Sequence, residues 1–188
     1  MWWCEHSATI GRFIRLGLVC LAAGLVTGCF QPLYGERSLT GGPGMRDKLS
    51  AVDVMPIDAP YGRPEARIGV EIRNALLFDM TGGAAAANPT HRLKINLTTS
   101  RQSVIVDIRT ARPDVENYGI DAIYTLTEIA TGKVVIAGQT FARVSFDIPG
   151  QQQRFARARG LRDAENRAAK VIADQIKSRL ASYFIAGA

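Results

Sequence analysis

Between Leu93 and Ile148 apolar residues return at every second position, through three successive stretches separated by polar or turn-forming segments. A chain with period two in three neighbouring runs has to build a half-buried sheet, because successive strand side chains point to opposite faces. Leu93, Ile95 and Leu97 alternate with Arg92, Lys94 and Asn96, with Val104-Ile105-Val106 as the continuation. Ile108 to Asn117 is polar and reads as a loop. Tyr118, Ile120, Ala122, Tyr124 and Leu126 form the next apolar face. Ala130-Thr131-Gly132-Lys133 is a tight hairpin turn. Val134, Ile136, Gly138, Thr140, Ala142, Val144, Phe146 and Ile148 then share one parity until Pro149-Gly150.

On both sides of this block the period changes. Ile68, Ile72, Ala75 and Leu76 fall on one face of a helix over Arg63–Met80, with Pro64 in its first turn and Gly82-Gly83 after it. Leu161, Ala164, Ala168, Ile172, Ile176, Leu180 and Tyr183 mark a second helix, and Asp163 precedes Arg167 by four, a favourable ion-pair spacing. Ala51 to Ile57 alternates weakly and predicts a short strand, kept at an edge or ended by Pro56 and Pro60. The expected fold class is α+β, order β-α-β-β-β-α, with two helices packed on one face of a four-stranded, mostly antiparallel sheet. No internal repeat is present.

The N-terminus reads as an address. Leu16 to Val26 is apolar and uncharged, follows Arg12 and Arg15, and is too short to span a bilayer, so it has the form of a secretory signal. It ends in Leu25-Val26-Thr27-Gly28-Cys29, which resembles the lipobox of bacterial lipoproteins. Cleavage there makes 1–28 the signal peptide, and Cys29 the lipidation site carrying the acyl chains, palmitate among them. Several chains together anchor stably where one does not. Phe30, in place of the Asp that tends to retain lipoproteins at the inner membrane, favours the outer membrane. Residues 29–50, rich in Gly and Pro, are the expected tether, and 51–188 the single folded domain. Removing 28 of 188 residues leaves 160, with Cys29 as the only cysteine and His91 as the only histidine. A chain of that length can bury one real core without disulfides.

Charge is unevenly placed. Cys29 to Pro149 carries 13 basic and 13 acidic residues, whereas Gly150 onward carries 8 basic and 3 acidic, so the mature excess of +5 belongs to the last element. Arg154 and Arg157 project toward the face of that helix that should be buried. Unpaired arginines are almost never fully buried. Either the packed helix begins near Gly160, or its first turns overhang the sheet. In an antiparallel meander, the loop carrying Arg109 and Arg112 lies at the same end as the exit of the last strand. Arg109, Arg112, Arg154 and Arg157 would then converge there, able to grip phosphate or carboxylate bidentately. The alternative is a solvated basic rim that adds only solubility. Nucleic acid is a poor partner for a secreted, tethered chain whose basic stretch holds a single aromatic residue, Phe155; anionic lipid or lipopolysaccharide fits the compartment better.

Catalytic signatures are lacking. The chain has no Gly-rich phosphate loop before a helix and no G-x-S-x-G elbow, and its one thiol is assigned to acylation. His91 reads as a surface strand residue. The expectation is a non-enzymatic protein with no catalytic residue, no metal and no cofactor.

Directly after Cys29 comes Phe30-Gln31-Pro32-Leu33-Tyr34-Gly35, and the last helix contains Arg154-Phe155-Ala156, Arg162-Asp163-Ala164-Glu165 and Ile172-Ala173-Asp174-Gln175-Ile176. These stretches resemble the LPS-assembly lipoprotein LptE family, especially its alphaproteobacterial branch, although the glycine many members carry between the cysteine and Phe is missing. The resemblance implies an outer-membrane lipoprotein on the periplasmic side, a subunit of the LPS translocon that plugs an LptD-like β-barrel. It would assist assembly of that barrel and help deliver lipopolysaccharide to the cell surface. On that reading Arg109, Arg112, Arg154 and Arg157 are candidates for contact with lipopolysaccharide phosphates. A free-standing periplasmic lipid-binding or transport-auxiliary lipoprotein is the competing expectation.

Overall fold

The computed structural model describes residues 43–107, 112–148 and 154–186. The signal peptide, Cys29, the motif at 30–35 and Arg109 lie outside the described residues. The elements, in order, are α1 (Met45–Ser50), β1 (Val52–Val54), α2 (Pro64–Thr81), β2 (His91–Asp107), β3 (Arg112–Glu128), β4 (Val134–Asp147) and α3 (Arg154–Ala186). The four strands form one sheet in the order β1-β2-β3-β4. β2, β3 and β4 make an antiparallel meander, and β1 pairs parallel to the start of β2, Val52 opposite His91. The α+β architecture is the one the alternating and helical periods predict.

The core lies between one sheet face and the helices. Leu93 and Ile95 from β2, then Tyr118, Ile120, Ala122, Tyr124 and Leu126 from β3, are buried against Ile68, Ile72 and Leu76 of α2 and Ile172, Ile176 and Leu180 of α3. Each large side chain of this kind contributes about 1.5–3 kcal/mol when removed from water. Five of the buried α3 residues are alanines, 164, 168, 169, 173 and 181, whose small size lets the helix close on larger neighbours. α2 and α3 run side by side in one direction, since Arg67 meets Glu165 and Asp79 meets Lys177, both 98 positions apart. Gly82 ends α2 in the left-handed conformation (φ 74°), where its N–H and that of Gly83 return to Phe78 and Leu77 carbonyls. Lys48 Nζ donates to the Phe184 carbonyl at 3.0 Å and so ties α1 to the C-terminal end of α3.

Three details depart from the sequence expectations. A third helix, α1, occupies part of the stretch read as tether. Its single apolar pair, Met45 and Leu49, is buried, but two residues are too few to register as a period. Residues 112–117 belong to β3 instead of a loop, pairing with β2 as far as Arg112 opposite Asp107. Pro113 is tolerated because β4 stops opposite Val115 and the ladder with β2 shifts register between Ile105 and Val106. At the other end a register shift leaves Val135 as an extra residue between Val134 and Ile136. Val134 therefore faces solvent, against the parity read from the sequence, and Val135 packs on the core.

Candidate functional site: the arginine end

The β2–β3 connection and the exit of β4 lie at one end of the sheet, and the Gly132-Lys133 hairpin lies at the other. α3 starts at the first of these ends. Gly160 sits against the last residues of β4, where an added Cβ would be 3.7 Å from the Asp147 carbonyl. The five residues before it, Phe155 to Arg159, are all exposed, and Ala164 is the first buried position of the helix. Of the two arrangements open to the sequence, the overhang is the one observed: α3 begins at Arg154 and its first turns extend past the packed layer. β2 is uncovered there too, because Ser100 through Val104 are exposed in succession, on both faces of the strand.

Backbone position puts Arg112 at the first residue of β3 and Arg154 at the first residue of α3, both at this end. Arg157 is on the overhang, half exposed, with Nη2 donating to Glu116 Oε1 at 3.3 Å. Glu116 itself is only 12% exposed, so its carboxylate is the more enclosed member of the pair and Arg157 the more solvated one. Arg159 and Arg162 are exposed and have no ion pair among the described residues. Phe155 stands among them, 88% exposed. The end thus carries several exposed arginines, with Glu116 in an ion pair and Asp107, Asp114 and Asp147 placed at the same end by backbone position. Planar guanidinium groups of this kind are able to hold a phosphate or carboxylate bidentately.

A partly buried polar cluster, not legible in the sequence, lies beside this end between the two long helices and the sheet. Arg67 of α2 binds Glu165 and Asn166 of α3, and Glu165 is the one buried charged residue described. Thr99 of β2 donates to Glu65 at the start of α2, and this hydrogen bond, first among its causes, holds the Glu65 carboxyl below its ordinary range. Tyr118 lies under both helices. Burial, reinforced by the charge of Glu165, pushes its hydroxyl up to about 12. The only sequence signal was polar residues at positions neighbouring an apolar helix face, which single-helix periodicity assigns to solvent. His91 is not a free surface residue either. It packs edge-on against Phe184 (5.2 Å between ring centroids) and burial lowers its pKa.

The model of the lipopolysaccharide-assembly family LptE matches residues 49–180. The chain belongs to the LptE family. As an LptE-family chain it is placed among outer-membrane-associated lipoproteins of lipopolysaccharide assembly, a family of assembly proteins and not of enzymes. Solved structures share the fold. A protein of Caulobacter crescentus CB15 described as a lipoprotein is 19% identical, with a TM-score of 0.59 over 77% of this chain and 97% of that one. The rare lipoprotein B of Shewanella oneidensis is 12% identical, with a TM-score of 0.51 over 71% and 96%. Lipoprotein B of Nitrosomonas europaea is 14% identical, with a TM-score of 0.52 over 73% and 90%. Among curated proteins none matches the sequence.

Proposed function

We propose that this LptE-family chain is acylated at Cys29, held on the periplasmic side of the outer membrane, and seated as a plug in an LptD-like β-barrel. There it assists assembly of the barrel and helps deliver lipopolysaccharide to the cell surface. The observation that carries the reading is the family match across 49–180, which takes in the whole meander, α2 and most of α3. The arginine end supplies the chemistry. Arg109, Arg112, Arg154 and Arg157 contact lipid A or core phosphates, and a phosphate arriving at Arg157 exchanges with Glu116 for the guanidinium.

Two measurements test this. Reversing charge at Arg154→Glu together with Arg157→Glu should weaken lipopolysaccharide binding strongly at low salt and less at high salt, because exposed charges are screened within about 8–10 Å. Unchanged binding at low salt would refute the phosphate role. Isolation of the Cys29-anchored protein from membranes should bring a large outer-membrane barrel in stoichiometric amount; extraction as a lone monomer would favour a free-standing lipid-binding lipoprotein.

A further inference from the structure

The two long helices cover one face of the sheet, and no described element covers the other. That open face is built mainly of uncharged amides and hydroxyls, Asn96, Thr98 and Ser100 on β2, Thr125 on β3, Gln139 and Ser145 on β4. Near its centre two large apolar side chains stand out, Ile123 at 59% and Phe141 at 65% exposure. Phe141 is in register with Asp121, so Ile123 is its diagonal neighbour, within reach across the strands.

Arg143 organises this centre. Its Nη2 donates to both carboxylate oxygens of Asp121 at 2.9 and 3.0 Å, and Nη1 donates to the carbonyls of Ile120 at 3.1 Å and Ala142 at 3.0 Å. Its guanidinium carbon lies 5.6 Å from the Phe141 ring centroid. Gly119 makes the arrangement possible. A Cβ at that position would come within 2.9 Å of Arg143 Cδ and 2.5 Å of Ser100 Oγ, so only glycine lets the arginine lie flat across β3. An exposed aromatic and an arginine already fixed in place lose little freedom on binding. Of the charges on this face, Asp121 is held by Arg143 and Arg92 reaches Asp53 at 3.7 Å, while Lys94 and Asp147 are exposed with no ion pair among the described residues. Few free charges around an aromatic–arginine centre is the make-up of an interface core. The outer surface of the helices is different, with Arg162, Asp163, Lys170, Asp174 and Arg179 interspersed as on a solvated face.

We infer that this open sheet face is the surface laid against the inner wall of the barrel partner, with Phe141, Ile123 and Arg143 as its anchor. The inference rests on the plug reading above. Barrel lumens present polar, sheet-like walls, which a face mainly of hydroxyls and amides can meet with only Lys94 and Asp147 as free charges to be matched by polar groups of the wall. A lipid layer would call for a broad apolar face instead.

The test uses the full-length, membrane-anchored protein, tagged and co-expressed with the barrel. Phe141→Glu with Ile123→Glu should reduce barrel recovery at least tenfold, while the thermal melt of the purified full-length protein falls only by the like-charge contact with Asp121, since both side chains already face water. If the Glu pair lowers the melt by more than that, the milder pair Phe141→Ser with Ile123→Thr decides, with recovery again expected to fall. Wild-type recovery with equal recovery by the variants overturns the face assignment and leaves the plug reading intact. Loss of self-association or of lipopolysaccharide binding with full barrel recovery overturns it in favour of that other occupant. Failure of the wild type itself to bring down a barrel overturns the plug reading and the assignment with it.

Discussion

Replacing Arg67 by methionine (Arg67→Met) should damage this domain more than replacing Arg67 and Glu165 together. The Glu165 side chain is 9% exposed and that of Arg67 is 32% exposed, so one partner is inside the protein and the other at its boundary. Removing one member of a fully buried pair costs about 3–5 kcal/mol, because the remaining charge is left without compensation. Solvent around Arg67 screens part of that interaction, which brings the expected loss down to about 2 kcal/mol. For a domain of this size that corresponds to a fall in Tm of about 4–8 °C. Converting Glu165 to methionine in the same chain removes the stranded carboxylate and adds apolar packing between α2 and α3. The double variant should therefore recover to within about 1 kcal/mol of the wild type. Urea unfolding of the purified protein at neutral pH, with the wild type, both single variants and the double variant, gives the coupling directly. A loss below about 0.5 kcal/mol for Arg67→Met, or a double variant less stable than Arg67→Met alone, would refute the reasoning. Either result would mean that Glu165 is adequately solvated without its partner.

Two further outcomes follow from the packing. Gly138→Ala places a Cβ 2.8 Å from the Tyr124 ring, which is itself nearly buried, so the ring has to shift. An overpacking cost of about 1–3 kcal/mol is expected in urea unfolding, and an unaltered midpoint would show that the ring moves freely. His91 is held below its ordinary pKa by burial against Tyr183 and Phe184, with the Glu128 charge acting the other way. The unfolded chain then binds the proton more readily than the folded one. Its contribution to stability is thus present above about pH 6.5, the ordinary value, and is lost as the pH falls through the depressed folded value. His91→Gln should flatten that part of the stability–pH curve; a slope between pH 7 and 5 identical to the wild type would remove His91 from the account.

The long, strongly periodic elements are legible in the sequence. Leu93, Ile95, Tyr118, Ile120 and Leu126 fall on the buried face that alternation assigns to them, and Ile68, Ile72 and Leu76 on the buried stripe of α2. The turn at Gly132 and the stop at Gly82 were equally plain, because both depend on residues a few positions apart. Elements whose stability comes from a distant partner were not. α1 has one apolar pair, and residues 112–117 are charged and contain a proline; both take regular form only because β2, α2 and α3 pack or pair with them.

The same division runs through the candidate surfaces. Sequence by itself determined that the net charge lies in the last element, that Arg154 and Arg157 conflict with the buried face of its helix, and that the chain has the meander and two helices of its family. Charge, period and spacing are properties of neighbours along the chain, and they survive in one dimension. Tertiary structure alone decided that α3 overhangs the sheet, that Arg157 finds Glu116, and that Arg67 reaches Glu165. It alone set Gly119 beneath Arg143, with Phe141 beside it on an open face. Those relations join residues about 20 to 100 positions apart. Their energies depend on burial and on register, which exist only after the sheet has closed against its helices.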